Sequence, residues 1–178
     1  MPYLPSELWL QILSHTSSPQ HKDLWRSLRR TNRQLRDCVE QHFTDTILPT
    51  IKLELTFGLP CYDARNPLRG KAIFAFSRFQ SDATGVPEDA ASERILCALI
   101  DVEPEHYMEQ LLVRWDRLRE SSSGYLPESL EWRMFLSGDE GGASVRLKEP
   151  FAFAGKEKKV EGSAVEFEWR ATLSSLFL

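Results

Sequence analysis

The chain has 178 residues, 42% hydrophobic and 27% charged, with 22 Lys+Arg against 26 Asp+Glu and a formal charge of −4. That balance argues against a globally basic nucleic-acid binder, and an aromatic content of 11% argues against a disordered chain. A chain of this length can bury roughly 70% of its unfolded surface, so it needs no disulfide or metal staple.

The charge is unevenly spread. Residues 1–50 carry six cations (Lys22, Arg26, Arg29, Arg30, Arg33, Arg36) and five acids (Glu7, Asp23, Asp37, Glu40, Asp45), leaving −5 for the remainder. The start Met1-Pro2-Tyr3 has no basic region, and Glu7 interrupts the apolar run, so no secretory leader is expected here. The longest apolar run, Ile95 to Ile100, is six residues, against roughly 18–20 for a membrane helix. Three scattered cysteines (Cys38, Cys61, Cys97) form no C-x-x-C pair and suit a reducing compartment, cytoplasm or nucleus.

The first 50 residues read as short helices. Pro5 suits an initial turn and Ser6 an N-cap, after which Leu8, Ile12 and Leu13 recur at helical spacing. Ser17-Ser18-Pro19 is a break; a second helix follows from Pro19 or Gln20 with Leu24, Trp25 and Leu28. Asn32 is a good N-cap for a third helix carrying Leu35, Val39 and Phe43. At Pro49 the period changes: Ile51, Leu53, Leu55 and Phe57 alternate with polar residues, as in a half-buried strand. Residues 58–70 read as a loop, 71–79 as a central strand and 80–87 as another loop. Two helices are expected next, from about Asp89 to Ile100 and from Pro104 onward with Met108, Leu111, Leu112, Trp115 and Leu118 in one stripe. The last third alternates again, through Leu130, Trp132, Met134 and Leu136, a glycine turn at 138–142, Val145 and Leu147, then Val165, Phe167 and Trp169. The predicted class is α+β: a three-helix module at residues 2–48, then an antiparallel sheet at 49–178 with two helices packed on one face.

The N-terminal spacing is the most specific signal. Leu4-Pro5-x-Glu7-Leu8, Ile12-Leu13-Ser14, Asp23-Leu24 and Arg33-x-Leu35-Arg36 occur in that order, within about residues 2–50. This arrangement resembles the F-box, whose pattern is roughly LPxEL, ILS, a gap, DL and then VSRxFR. Leu28 to Arg36, continued by Asp37-Cys38-Val39-Glu40, is similar to the fungal version of the last segment. Thr16 stands where a Leu is usual, and Thr31 and Asn32 replace Val and Ser; Asn32 keeps the capping chemistry.

The resemblance implies that the helices dock a Skp-type adaptor and, through it, a cullin of a ubiquitin ligase. Leu4, Pro5, Leu8, Ile12, Leu13 and Leu24 are the matching contact candidates. From periodicity alone, Leu8, Ile12 and Leu13 fit a plain core face as well. The remainder would present a protein target, giving a non-catalytic substrate-recognition adaptor with no cofactor, no metal, no nucleic acid and no membrane partner. Two alternatives stay open: a Skp-only complex outside any ligase, and a ligand-binding β domain carrying an F-box appendage.

Chemistry-bearing patterns are weak elsewhere. Asp101-x-Glu103-x-Glu105-His106 is interrupted by Pro104, and acids ahead of a helix favour its N-terminal dipole without a metal. Cys61 has no nearby His, and His15, His21 and His42 read as surface or packing residues. Arg26, Arg29, Arg30, Arg33 and Arg36, interleaved with acids, read as a solvated face or as a basic rim toward an acidic adaptor.

Overall fold

Proline at position 5 decides where the first helix begins. In the computed structural model, which describes residues 4–17, 20–58, 69–80, 94–121, 125–126, 130–136, 141–153 and 163–177, Pro5 is extended and itself serves as the N-cap. Ser6 is the first residue of α1 (Ser6–Ser14) and makes no capping bond, contrary to the expectation for it. Its neighbourhood explains this. Gln34 Nε2 donates to the Leu4 carbonyl at 2.8 Å and approaches the Ser6 hydroxyl at 3.4 Å, so the helix start is held from across the module. The expected loops at 58–70 and 80–87, Cys61 and the glycine turn at 138–142 lie largely or wholly outside the described residues.

Helix α2 (His21–Arg26) passes through a 3₁₀ turn at Leu28–Arg30 into α3 (Arg33–His42). Asn32 caps α3 as its position predicts, its Oδ1 accepting from the Leu35 amide at 2.8 Å. The chain then runs without a loop through a π turn (Phe43–Ile47) and a 3₁₀ turn (Leu48–Thr50) into the first strand. Leu13, Trp25, Val39, Phe43, Ile47 and Leu48 are all buried, so the helices wrap an apolar centre that continues into the sheet.

Among the described residues the sheet has seven antiparallel strands and is curled, in the order β5-β4-β1-β2-β3-β7-β6. The strands are β1 (Lys52–Gly58), β2 (Arg69–Gln80), β3 (Arg94–Glu103), β4 (Trp132–Phe135), β5 (Ala143–Val145), β6 (Phe151–Phe153) and β7 (Ala164–Glu168). Register places Leu53 opposite both Phe74 and Met134, and Leu55 opposite both Ala72 and Trp132, so these side chains share one buried face. A helix, α4 (Met108–Ser121), covers that face: Trp115 lies against Phe74 at 5.3 Å, and Phe74 against Trp132 at 5.6 Å. Ion pairs such as Lys71–Glu54 at 3.1 Å and Arg94–Glu166 cross neighbouring strands.

Two expectations are corrected. The helix expected at 89–100 is, over its described part, strand β3, where Ile95, Cys97 and Leu99 are buried and Leu96, Ala98 and Ile100 are more open. Trp169 does not continue the last strand but opens a further helix, α5 (Trp169–Phe177). The helices following the first strand are therefore α4 and α5, and the element order differs from the one predicted while the class, α+β, holds.

Helix α5 joins the two parts of the chain. Trp169 meets Trp25 of α2 at 5.6 Å, Phe177 meets Phe43 at 6.4 Å, and Trp25 Nε1 donates to Ser174 Oγ at 3.2 Å. Arg29 lies over the Trp25 ring at 4.3 Å and Arg170 over the Trp169 ring at 4.7 Å. Glu40 receives both guanidinium groups, at 2.7 and 2.9 Å, so each tryptophan is flanked by an arginine and the arginines share one carboxylate. Buried residues of the helical module and of the sheet form one contiguous cluster. Trp25→Ala should cost about 3–5 kcal/mol. Urea unfolding followed by tryptophan fluorescence and by far-UV circular dichroism should stay a single coincident transition; separate transitions for helix and sheet would refute the shared core.

Candidate functional site

Helix α1 is apolar on two sides. Leu13 is buried at 1% exposure and Trp9 and Leu10 pack inward, while Leu8 and Ile12 remain 45% and 50% exposed. Leu4, Leu8 and Ile12 stand at i, i+4 and i+8 and line, with Gln11 and His15, a shallow groove of about 270 Å³. The Gln34 bond to the Leu4 carbonyl holds the entrance of this groove in place. A surface helix usually turns its apolar stripe to the core and a polar one to water. Here the second stripe has no cover among the described residues.

The six sequence-predicted contact residues divide accordingly. Leu4, Pro5, Leu8 and Ile12 form the accessible ridge, with Leu4 half-buried and the other three exposed. Leu13 and Leu24 belong to the core, at 1% and 9% exposure, and not to this ridge. The reason is angular, since Leu13 lies about 100° round the helix from Ile12.

The arginines behave differently from one another. Arg26, Arg30, Arg33 and Arg36 are exposed, whereas Arg29 is tied into the Glu40 bridge and is no part of a free basic rim. His15 is exposed; His21 and His42 are buried and both sit edge-on near Phe43. Among the described residues, neither His21 Nδ1 nor His42 Nε2 has a hydrogen-bond partner. Burial holds both imidazoles below their ordinary pKa of 6.5; His42 lowers His21 further, and Asp45 partly offsets the effect at His42. The folded state therefore takes up fewer protons than the unfolded chain, and stability is greatest above 6.5 and falls as pH drops through it. The urea midpoint should decline between about pH 7 and about pH 5.5, above the carboxylate range, and His42→Phe should flatten that decline. A flat wild-type profile would show that the pair is not neutral in the native state.

A second open space was not foreseen. The end of β1 and the outer side of α4 bound a half-open cleft with two adjoining lobes of about 630 and 540 Å³. Both lobes share Phe57, Gly58, Arg114 and Arg117; Val113 walls the first, and Leu111, Trp115 and Leu130 the second. Arg114 Nη1 donates to the Gly58 carbonyl, fastening helix to strand across the cleft. Phe57 is seated over Gly70, where an added Cβ would lie 2.5 Å from the ring, so only glycine permits this placement. The one signal available in the sequence was Val113, an aliphatic residue on an otherwise charged helix face that proves 52% exposed.

Among the described residues, no three His, Cys, Asp or Glu side chains come together as a metal site, and no helix is long and apolar enough to cross a membrane. Asp101, one of the acids in the run before α4, caps its neighbour instead, its Oδ1 accepting from the Val102 amide at 2.8 Å. The chain matches no protein family, no curated protein and no solved structure.

Proposed function

We propose that this chain is an F-box-type adaptor that docks a Skp-type subunit through α1 and, through it and a cullin, brings a protein target to a ubiquitin ligase. The observation that carries the reading is the ridge of Leu4, Pro5, Leu8 and Ile12. These residues fall within the F-box-like spacing, and they remain open on a helix whose opposite side is already buried. Covering a helix ridge with an apolar groove or helix of a partner is a recurrent mode of recognition. Leu8 and Ile12 are each about half out of water, so sealing them would contribute on the order of 1 kcal/mol apiece. Exposed Arg26, Arg30, Arg33 and Arg36 would speed encounter with an acidic partner without adding much affinity.

The chain needs no catalytic residue in this role. A ligase accelerates transfer by holding target and charged conjugating enzyme together, and what the adaptor supplies is position. Trp25, Trp169 and Glu40 serve that role, because they fix the ridge relative to the sheet that would carry the target.

Coexpression with a Skp-type adaptor, followed by size-exclusion chromatography, tests the proposal. The wild-type chain should co-elute with the adaptor at micromolar concentration. Leu8→Asp combined with Ile12→Asp should abolish co-elution and leave the thermal midpoint within a few degrees, since neither side chain is in the core. Failure of the wild-type chain to form a complex would remove the adaptor reading.

A further inference from the structure

We propose that the cleft between β1 and α4 receives a short extended segment of the target polypeptide in which an apolar side chain lies close to a carboxylate. The inference rests on the adaptor reading, and it names the chemistry by which the target would be held.

The apolar half is built by Phe57 and Val113. Phe57 cannot sit where it does unless residue 70 is glycine, and in this place its ring forms one wall of the cleft. Val113 is half in water, an aliphatic side chain among its polar helical neighbours in the cleft, Glu109, Gln110 and Arg117. Beneath lie Leu111, Trp115 and Leu130, which leave an apolar floor for one inserted side chain.

The charged half is built by Arg114 and Arg117, one helical turn apart and therefore neighbours on the helix surface. The Gly58 carbonyl orients the Arg114 guanidinium but engages one of its five N–H donors, and a planar fork of this kind suits a carboxylate. Glu109 lies at the opposite end, so the cleft is polarised along its length. Glu109 and Arg117 are separated by about 12 Å of helix rise, the span of three to four extended residues. A bound segment would place its acid at the Arg117 end, and a basic residue there would be repelled. The chain's overall charge of −4 does not decide the matter, because charges beyond about 8 Å are largely screened at physiological salt.

Selection of a randomised short-peptide display library on the full chain tests this. Enriched peptides should carry an aromatic or aliphatic residue next to, or one position from, Asp or Glu. A synthetic enriched peptide should bind Arg117→Glu and Val113→Asp about tenfold or more weakly than wild type, with Arg117→Lys intermediate. Both positions are exposed, and an unchanged thermal midpoint would show that the variants are folded. No enrichment, enrichment without an acid, binding unaffected by Arg117→Glu, or equal binding of a free aromatic carboxylate would overturn the proposal. Adaptor co-elution measured on the same proteins separates the two readings. Arg117→Glu should retain the adaptor, whereas a wild-type chain that binds peptides but no adaptor would refute the adaptor reading and leave the cleft.

Discussion

The contact of Trp25 with Trp169 is the constraint on which the rest of the molecule depends. The two rings meet at 5.6 Å, each lies beneath an arginine, and Glu40 joins the arginines. Without it, α1 to α3 would be a small helical unit with too little apolar area to be secure alone. With it, the helices and the sheet share one core, and their relative orientation follows from packing rather than from a linker. The uninterrupted passage from α3 through the π and 3₁₀ turns into β1 reinforces this by leaving no hinge between them.

That rigidity gives the two surfaces their meaning. The ridge on α1 and the cleft beside α4 are carried by elements fastened to one core, and each pairs apolar side chains with an anchored neighbour. At the ridge the anchor is the Gln34 bond to the Leu4 carbonyl; at the cleft it is the Arg114 bond to the Gly58 carbonyl. In both places a side-chain donor holds a main-chain carbonyl, which positions an element end without occupying the apolar surface beside it.

Much of the fold was legible where local chemistry and tertiary packing agree. Asn32 caps α3 as read, Leu53 and Leu55 alternate into the core, and Trp132 and Met134 do likewise. The run Ile95 to Ile100 was not legible, because six apolar residues suit a buried helix and a central strand equally. Pairing on both sides, with β2 and with β7, decides for the strand. Trp169 misled because it extends the alternation of Val165 and Phe167 by one more step, although the chain turns helical there to reach Trp25. Along α1 the spacing did not tell the open face from the buried one: Leu13 and Ile12 are adjacent in the chain and a quarter-turn or more apart on the helix. The cleft left only Val113 as a trace in the sequence, since it exists only where the end of β1 meets α4.

The bond from Trp25 to Ser174 spans 149 positions of chain. During synthesis Trp25 is made well before α5, which supplies the surface it needs. A nascent chain must therefore keep a bare indole and the apolar side of α2 in solution until α5 is released, and closing so long a loop is slow compared with forming helices. Union of the helices with the sheet therefore waits for α5, and the growing polypeptide is most vulnerable to aggregation in that interval.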